Sequence, residues 1–160
     1  MAGCDGVTEA RNYFGDDLKI KVINKGRHPL PTYQTAGSAA FDLHANIDAQ
    51  ITLGSLERAV VPTGLYIALP EGYEMQIRSR GSLPAKHGVI IGNSPGTLDA
   101  DYRGELKVIL INASADTFVV KDGDRIAQGL VAPVEQIEWV EVEAHDATER
   151  GAGGFGHTGR

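Results

Sequence analysis

The chain has 160 residues, a formal net charge of −6 and a single cysteine, Cys4. This length fits one domain, and the negative charge argues against a duplex nucleic-acid binder, which normally carries a basic patch. One cysteine allows neither an internal disulfide nor a zinc cluster, and it fits a reducing compartment. No apolar run approaches the ~20 residues of a transmembrane helix, and no secretory signal pattern precedes the first strands. We therefore expect a cytoplasmic protein that binds neither nucleic acid nor membrane.

Short strand-like segments follow a polar leader, residues 1–17, that has no periodicity. Several of them alternate apolar and polar residues, which is the period of a half-buried strand. The predicted strands are residues 19–24, 38–45, 50–53, 58–61, 65–69, 73–78, 89–91, 106–112, 117–120, 125–134 and 139–142. Residues 81–87 are the one segment that could hold a short helix. Gly, Pro, Asn or Asp fills most gaps, and many short strands at regular turn spacing predict an all-β sandwich or barrel.

Residues 78–88 combine cations, hydroxyls and a glycine between two predicted strands. If a helix begins near Ser82, its N-terminus is a natural anion site; the alternative is a basic surface loop. The chain has neither a P-loop nor a dinucleotide-binding glycine motif. The zinc nucleobase deaminase signature is also absent from the sequence.

Residues 96–104 place two acids and a tyrosine between glycines, with a strand-like run on each side. One interpretation is a plain hairpin turn, because Asp and Gly are common turn residues. The other is that Asp99, at a strand end, activates a water for phosphoanhydride hydrolysis, which needs a positioned base. Tyr102 would then form one wall of a nucleoside pocket.

Residues 150–159 contain five glycines, with Arg150 at one end, Phe155 in the middle and Thr158 near the other end. Such a segment cannot form a core strand or helix, because glycine loses the most entropy on ordering. It is either a solvated tail or a segment that wraps a ligand. Exposed backbone N–H groups and a guanidinium suit phosphate oxygens, and an aromatic ring suits a flat base.

Five segments of the chain, in order, resemble the motifs of the trimeric dUTPases: residues 36–43, 80–88, 93–104, 123–128 and 150–159. The resemblance implies a jelly-roll-like β barrel that forms a homotrimer with three shared active sites. It divides the chain into a leader (1–17), a barrel (18–142) and a C-terminal arm (143–160) that closes a neighbour's site. The implied reaction is hydrolysis of dUTP to dUMP and diphosphate, which limits uracil in DNA and supplies dUMP for dTMP synthesis.

The resemblance also implies roles for the residues that would bind the nucleoside. Asp99 is the general base that deprotonates water for attack on the α-phosphate. Tyr102 packs against the deoxyribose and leaves no room for a ribose 2′-hydroxyl. The uracil edge is recognised by Asn93 and by the backbone of Thr97, Leu98 and Lys107.

Further residues are implied for the triphosphate. The phosphate chain is held by Arg80, Gly81 and Ser82, with Gln128 and Arg150 near the outer phosphates. In the arm, Phe155 stacks on uracil, and Gly156, His157 and Thr158 wrap the γ-phosphate. Mg²⁺ is expected on the triphosphate itself, because it keeps several waters and needs few protein ligands. Asp42 either touches that water shell or anchors arginine side chains.

The sequence departs from the family pattern at three points. The second motif usually has Arg-Ser-Gly, and here Arg80-Gly81-Ser82 exchanges the last two residues. Ser79 stands where proline is usual, and His157 stands where serine is common. Two alternatives to the hydrolase are a zinc-independent dCTP deaminase of the same fold and a non-enzymatic nucleotide-binding or partner-binding trimer. The deaminase lacks support, because its pocket glutamate has no match here.

Overall fold

The computed structural model describes residues 18–154, and in this part of the chain it contains ten strands and one short helix. The strands are β1 (Lys21–Asn24), β2 (Phe41–His44), β3 (Ile51–Leu53), β4 (Arg58–Ala68), β5 (Tyr73–Arg78), β6 (Val89–Ile91), β7 (Gly96–Leu98), β8 (Glu105–Asn112), β9 (Phe118–Val120) and β10 (Arg125–Pro133), and the helix is α1 (Ser82–His87). The predicted all-β class is therefore confirmed. Within residues 18–154, no helix is long and apolar enough to cross a bilayer.

The strands form two four-stranded antiparallel sheets and a separate two-stranded ribbon. The first sheet has the order β1-β4-β8-β6, the second has the order β2-β10-β5-β7, and β3 pairs with β9. Alternate residues of the central strands point into one core; β8, for example, buries Leu106, Val108 and Leu110. Two sheets that each bury every second residue of their central strands agree with the predicted jelly-roll-like barrel.

Strand β4 replaces two separately predicted strands, residues 58–61 and 65–69. Its pairing with β8 is regular as far as Pro62 and then shifts register before Tyr66. Pro62 and Gly64 suggested a break in the sequence, but they mark a bulge inside one continuous strand. Gly64 has a φ of 74°, a left-handed conformation that glycine adopts without strain. The bulge lies opposite the start of β8, where the candidate site is built.

Two other predictions differ from the structure. Residues 96–98 were not among the predicted strands, but they form β7, which pairs with β5 through Thr97 and Gln76. The predicted strand at 139–142 is not formed, and its side chains are exposed; Trp139 is 87% exposed. Its aromatic and β-branched residues favour a strand, but a strand needs a hydrogen-bonded neighbour, and this segment has none among residues 18–154.

Helix α1 forms within the short segment where a helix was expected. Leu83 is its buried residue, and it packs the helix against the core. The helix ends at Gly88, which has a φ of 64° and donates its N–H to Pro84 O at 3.2 Å. This is a common way for a helix to end at glycine. The helix presents Gly81 and Ser82 at its exposed start.

The fully buried Asn112, at the end of β8, joins three segments through its side chain. Its Nδ2 donates to Leu53 O at 2.9 Å and to Asp116 O at 2.7 Å, and its Oδ1 accepts the Ser114 N–H at 3.0 Å. Asn112→Ala leaves these groups without partners. We expect it to lower the free energy of unfolding by at least about 1–3 kcal/mol, the cost of one unsatisfied buried group.

Urea unfolding would measure this effect. Asp116→Asn is the control, because it keeps the backbone carbonyl that Asn112 contacts and alters only an exposed side chain. Equal stability of the Asn112→Ala protein and the parent would show that water replaces the lost contacts.

Candidate active site

A cavity of about 230 Å³ is lined by residues of both four-stranded sheets and lies beside the segment that connects β7 to β8. Six of the residues predicted to bind nucleoside or water line it together: Asn93, Thr97, Leu98, Asp99, Tyr102 and Lys107. Residues from β4 and β5, Val60 and Ile77, contribute apolar surface. The structure thus brings together an amide, a carboxylate and an aromatic ring around a space of small-molecule size.

Strand β7 places the first of these groups. It is the last strand of its sheet, next to β5, so one of its backbone edges has no strand beside it among residues 18–154. Leu98 is buried while Thr97 and Asp99 are exposed, as the alternation along a strand requires. The exposed Asp99 carboxylate therefore stands at the end of β7, where a bound molecule and water can both reach it.

The segment from Asp99 to Gly104 crosses from one sheet to the other. Strands β7 and β8 belong to different sheets, so the hairpin-turn interpretation is wrong and the segment is a sheet-to-sheet connection. The connection is tight, since Tyr102 N–H donates to Asp99 O at 3.2 Å. Arg103 Nη1 donates to Ala100 O at 2.6 Å and to Tyr102 O at 2.8 Å. These hydrogen bonds fix the backbone at Tyr102 relative to the backbone at Asp99.

A second group of predicted residues lies at the junction of β2, β5 and β10. Arg80 Nε is 2.7 Å from Asp42 Oδ1, and Arg125 Nη1 is 3.2 Å from Asp42 Oδ2. Gln128 Nε2 donates to Ser79 O at 3.1 Å. None of these side chains lines the cavity described above. One chain thus holds two separate parts of the predicted site.

This second group carries an excess of positive charge, because two guanidinium groups share one carboxylate. Asp42 is mostly buried while the Arg125 side chain is half exposed, so the uncompensated charge faces outward. Charge-assisted contacts from arginine are well suited to phosphate oxygens. Sequence reasoning did not name Arg125, although it lies in the same 123–128 segment as Gln128 and three residues before it.

Other predicted residues lie elsewhere or outside the described part. Gly81 and Ser82 are exposed at the start of α1, and the space beside Gly81 is open. Arg150 Nε donates to Gly153 O at 2.9 Å, within its own segment. Phe155, Gly156, His157 and Thr158 lie outside the described residues.

Comparison with known proteins identifies the family. The sequence matches the dUTPase family over residues 26–159. The chain belongs to the dUTPase family. The resemblance inferred from the five motifs is therefore confirmed.

Curated relatives of this dUTPase-family chain are similar over nearly their whole length. It is 54% identical over 143 residues to the deoxyuridine 5′-triphosphate nucleotidohydrolase of Fusobacterium nucleatum, covering 89% of this chain and 98% of that one. It is 51% identical over 142 residues to the enzyme of the same name from Finegoldia magna, covering 89% and 99%.

Solved structures of dUTPases share the fold. A mutant dUTPase of Staphylococcus bacteriophage 80alpha, solved with dUpNHpp, superposes with a TM-score of 0.80 at 23% identity, covering 89% of this chain and 99% of that one. A mutant dUTPase from phage phi11 of S. aureus, described with a structural Mg(II) ion, has a TM-score of 0.72 at 21% identity, covering 81% and 99%.

The donor groups of this dUTPase-family chain fit a metal that arrives with its ligand. Among the described residues, no three His, Cys, Asp or Glu side chains converge to hold a metal ion. The Asp42 carboxylate already contacts two arginines. Mg²⁺ dehydrates reluctantly and commonly binds substrate phosphates with only one or two carboxylates, so this donor set is compatible with Mg²⁺ held mainly by phosphates and water.

His44, at the end of β2, titrates in an unusual environment. Partial burial lowers its pKa below the ordinary value of 6.5; the nearby His28, Arg125 and Arg80 lower the pKa further, and Asp42 opposes them. The two histidine rings lie 6.1 Å apart. Near and below pH 6.5, the unfolded chain therefore binds a proton at this position more readily than the folded chain.

The free energy of unfolding is expected to fall as the pH is lowered from about 7.5 to about 5.5, with His44 contributing to the fall. His44→Gln should make this pH dependence shallower, because it removes the proton uptake that favours unfolding. Urea unfolding across this range would measure it, with His145→Gln at an exposed position as the control. An unchanged slope in His44→Gln would assign the pH dependence to other groups.

Proposed function

We propose that this chain hydrolyses dUTP to dUMP and diphosphate, and so limits uracil in DNA and supplies dUMP for dTMP synthesis. The observation that carries the proposal is the cavity shared by Asn93, Asp99 and Tyr102, on a chain of the dUTPase family. An amide, a free strand edge, an aromatic ring and an exposed carboxylate are the groups that a nucleoside triphosphate hydrolase of this kind needs. The cytoplasmic location expected from the sequence stays a prediction.

Base selection would come from the free edge of β7 and from Asn93. The backbone of Thr97 and Leu98, with that of Lys107 across the cavity, offers donors and acceptors at fixed positions. Such an edge can pair with uracil as a complementary base would, and it leaves cytosine with mismatched groups. A site built to hydrogen-bond one pattern discriminates strongly against another, because its polar groups would otherwise stay unpaired.

Catalysis would use Asp99 as the general base. Its carboxylate takes a proton from a water molecule as the water oxygen bonds to the α-phosphorus. The bond from the α-phosphorus to the bridging oxygen breaks, and diphosphate leaves with the electron pair. Asp99 is exposed at the end of β7 and next to Tyr102 in the cavity, so it can contact a water beside the 5′ end of a bound nucleoside.

The phosphates would be bound by the positive group at the β2, β5 and β10 junction. Arg80, Arg125 and Gln128 supply donors there, and Gly81 and Ser82 lie at the adjoining start of α1. Bound Mg²⁺ would neutralise phosphate charge and orient the phosphate chain. Asp42 would act by holding Arg80 and Arg125 in place.

A homotrimer with shared sites accounts for the separation of these two groups. The cavity of one chain would receive the arginine group of a second and the arm of a third. Residues 143–160 would form that arm, extending from a barrel of residues 18–142. The apolar side chains of Ile137, Trp139 and Val140 support an assembly, because residues 18–154 of their own chain leave them largely exposed.

Strand β1 is a suitable partner for this segment on a neighbouring chain. Among residues 18–154 it ends its sheet, and all four of its residues are exposed, so its outer edge can accept another strand. Lys21 begins β1 and Lys19 lies two residues before it, while Glu138 and Glu141 lie within residues 137–142. Opposite charges on adjacent strands favour their pairing.

A charge exchange tests this assembly. Lys21→Glu should weaken the trimer in light scattering, and adding Glu141→Lys should restore it. Lys86→Glu, on exposed α1, is the control for the change in net charge. A parent protein that is monomeric at all concentrations would contradict the shared-site proposal.

The activity is tested by incubating the purified protein and Mg²⁺ with dUTP, dCTP, dTTP or UTP in turn and following diphosphate and base identity. Diphosphate from dUTP alone is the expected result. Deoxyuridine nucleotide formed from dCTP without diphosphate would favour the deaminase. Tight dUTP binding without turnover would favour the non-enzymatic trimer and direct attention to the exchanged Gly81-Ser82 pair.

A further inference from the structure

Tyr102 packs against the backbone of Gly104, which precedes β8, and of Glu105, which begins it. Its hydroxyl donates to Glu105 O at 3.2 Å. A Cβ added at Gly104 would lie 2.5 Å from Tyr102 Cζ and 3.0 Å from Cε2, and it would also overlap the hydroxyl oxygen. Real Cβ atoms do not approach other atoms so closely, so the ring can occupy this position only because residue 104 is glycine.

The Glu105 side chain anchors this backbone to the bulge of β4. At Gly64 the regular pairing of β4 with β8 is interrupted by the bulge. The Gly64 N–H donates instead to Glu105 Oε1, at 2.9 Å. The neighbouring Thr63 Oγ1 donates to Leu106 O at 2.6 Å. The Glu105 carboxylate is largely buried, with Lys107 Nζ 3.7 Å from Oε2. The carbonyl that orients Tyr102 therefore belongs to a cavity-lining residue whose own side chain is held by the bulge of β4.

We infer that Gly104 and Glu105 are positioning residues that set the discrimination between deoxyribose and ribose. They act through Tyr102, and the inference rests on the proposed packing of that ring against the sugar. A 2′-hydroxyl adds one oxygen atom, so a ring displaced by about 1 Å opens space for it. Displacements of that size commonly change rates by as much as about 10²-fold. Neither Gly104 nor Glu105 needs to touch the nucleotide for this effect.

Sugar selectivity is the readout that separates positioning from a general loss of stability. We would measure the ratio of kcat/KM for dUTP to that for UTP, and the ratio of Kd for dUpNHpp to that for UpNHpp, which does not require turnover. Gly104→Ala and Glu105→Ala should each reduce the preference for the deoxy form by about tenfold to a hundredfold. Glu105→Gln should retain it, because its amide oxygen still accepts the Gly64 N–H.

The chain offers matched controls for both substitutions. Glu57 Oε2 accepts the Gly54 N–H at 2.7 Å outside the cavity, so Glu57→Ala removes the same kind of bond elsewhere. Gly37 has open space where a Cβ would lie, so Gly37→Ala adds the same methyl group without a clash. Both controls should keep the parent selectivity.

The outcomes distinguish this inference from the proposed function. If Tyr102→Ala loses the preference while Gly104→Ala and Glu105→Ala keep it, the ring selects the sugar but these two residues do not position it. If Tyr102→Ala also keeps the preference, the sugar role of the ring is wrong and the inference fails with it. A parent that binds dUpNHpp selectively but hydrolyses no dUTP would contradict the proposed activity, while the Kd ratios would still decide the inference.

Discussion

Asp99→Asn is expected to lower kcat for dUTP by about 10²–10⁴-fold, the usual contribution of a general base. Asparagine has nearly the same shape but cannot take a proton from water at neutral pH. Because the carboxylate is exposed at the end of β7 and makes no side-chain hydrogen bond to the core within residues 18–154, the fold and the dUTP affinity should stay close to those of the parent. Steady-state kinetics and calorimetric titration with dUpNHpp would measure the two effects separately.

Asp101→Asn is the matched control for this variant. Asp101 is exposed in the same connection between β7 and β8 but does not line the cavity, and the substitution makes the same change in charge. It should leave kcat near the parent value. If Asp99→Asn turns over dUTP at the parent rate, Asp99 is not the base. If both variants lose activity equally, the negative charge of the connection matters rather than one positioned carboxylate.

Much of the fold follows from local patterns in the sequence. The alternation of apolar and polar residues in β5 and the long apolar run of β8 predict strands, because burial on one face repeats every two residues. Strand β7 was missed because its three residues include a glycine and follow a proline. It becomes a strand through backbone pairing with β5, some 20 residues away in sequence, and no local pattern contains that information.

The site was predictable to the extent that it depends on groups within one motif. Asn93, Asp99 and Tyr102 lie in one continuous segment, and the structure gathers them in one cavity. The part played by Glu105 could not be foreseen, because it depends on a bulge at Gly64, 41 positions earlier. Arg125 was missed for a similar reason, since its link to Asp42 joins residues 83 positions apart.

The segment predicted as a strand at 139–142 shows a different limit of sequence patterns. Its aromatic and β-branched residues favour a strand, but its apolar side chains are far more exposed than those of the ten strands' buried faces. A chain that leaves Ile137 and Trp139 in water loses the free energy of burying them. This exposure is expected if the partner strand belongs to another copy of the chain. The sequence of a single chain does not reveal such a partner.

Deleting residues 150–160 is expected to lower kcat/KM for dUTP by at least about a hundredfold, comparable to the loss of one well-placed charge-stabilising donor. The deletion removes Arg150, Phe155 and the glycine-rich backbone that would cover the bound triphosphate and exclude water. Within residues 18–154, Arg150 and Gly151 form hydrogen bonds with neighbours in the same segment. The barrel and its assembly should therefore survive the loss.

Light scattering, thermal unfolding and kinetics of the truncated protein separate the two possible roles of this segment. A trimer with the parent's unfolding temperature but poor turnover would assign residues 150–160 to closing the site. Loss of the trimer would assign them to assembly instead.

Phe155→Ala and Arg150→Ala are the finer test of the arm. If stacking on uracil is its main contribution, Phe155→Ala alone should reproduce most of the rise in KM. If the arm mainly wraps the phosphates, Arg150→Ala should have the larger effect. The two single variants thus decide which end of the nucleotide the arm holds.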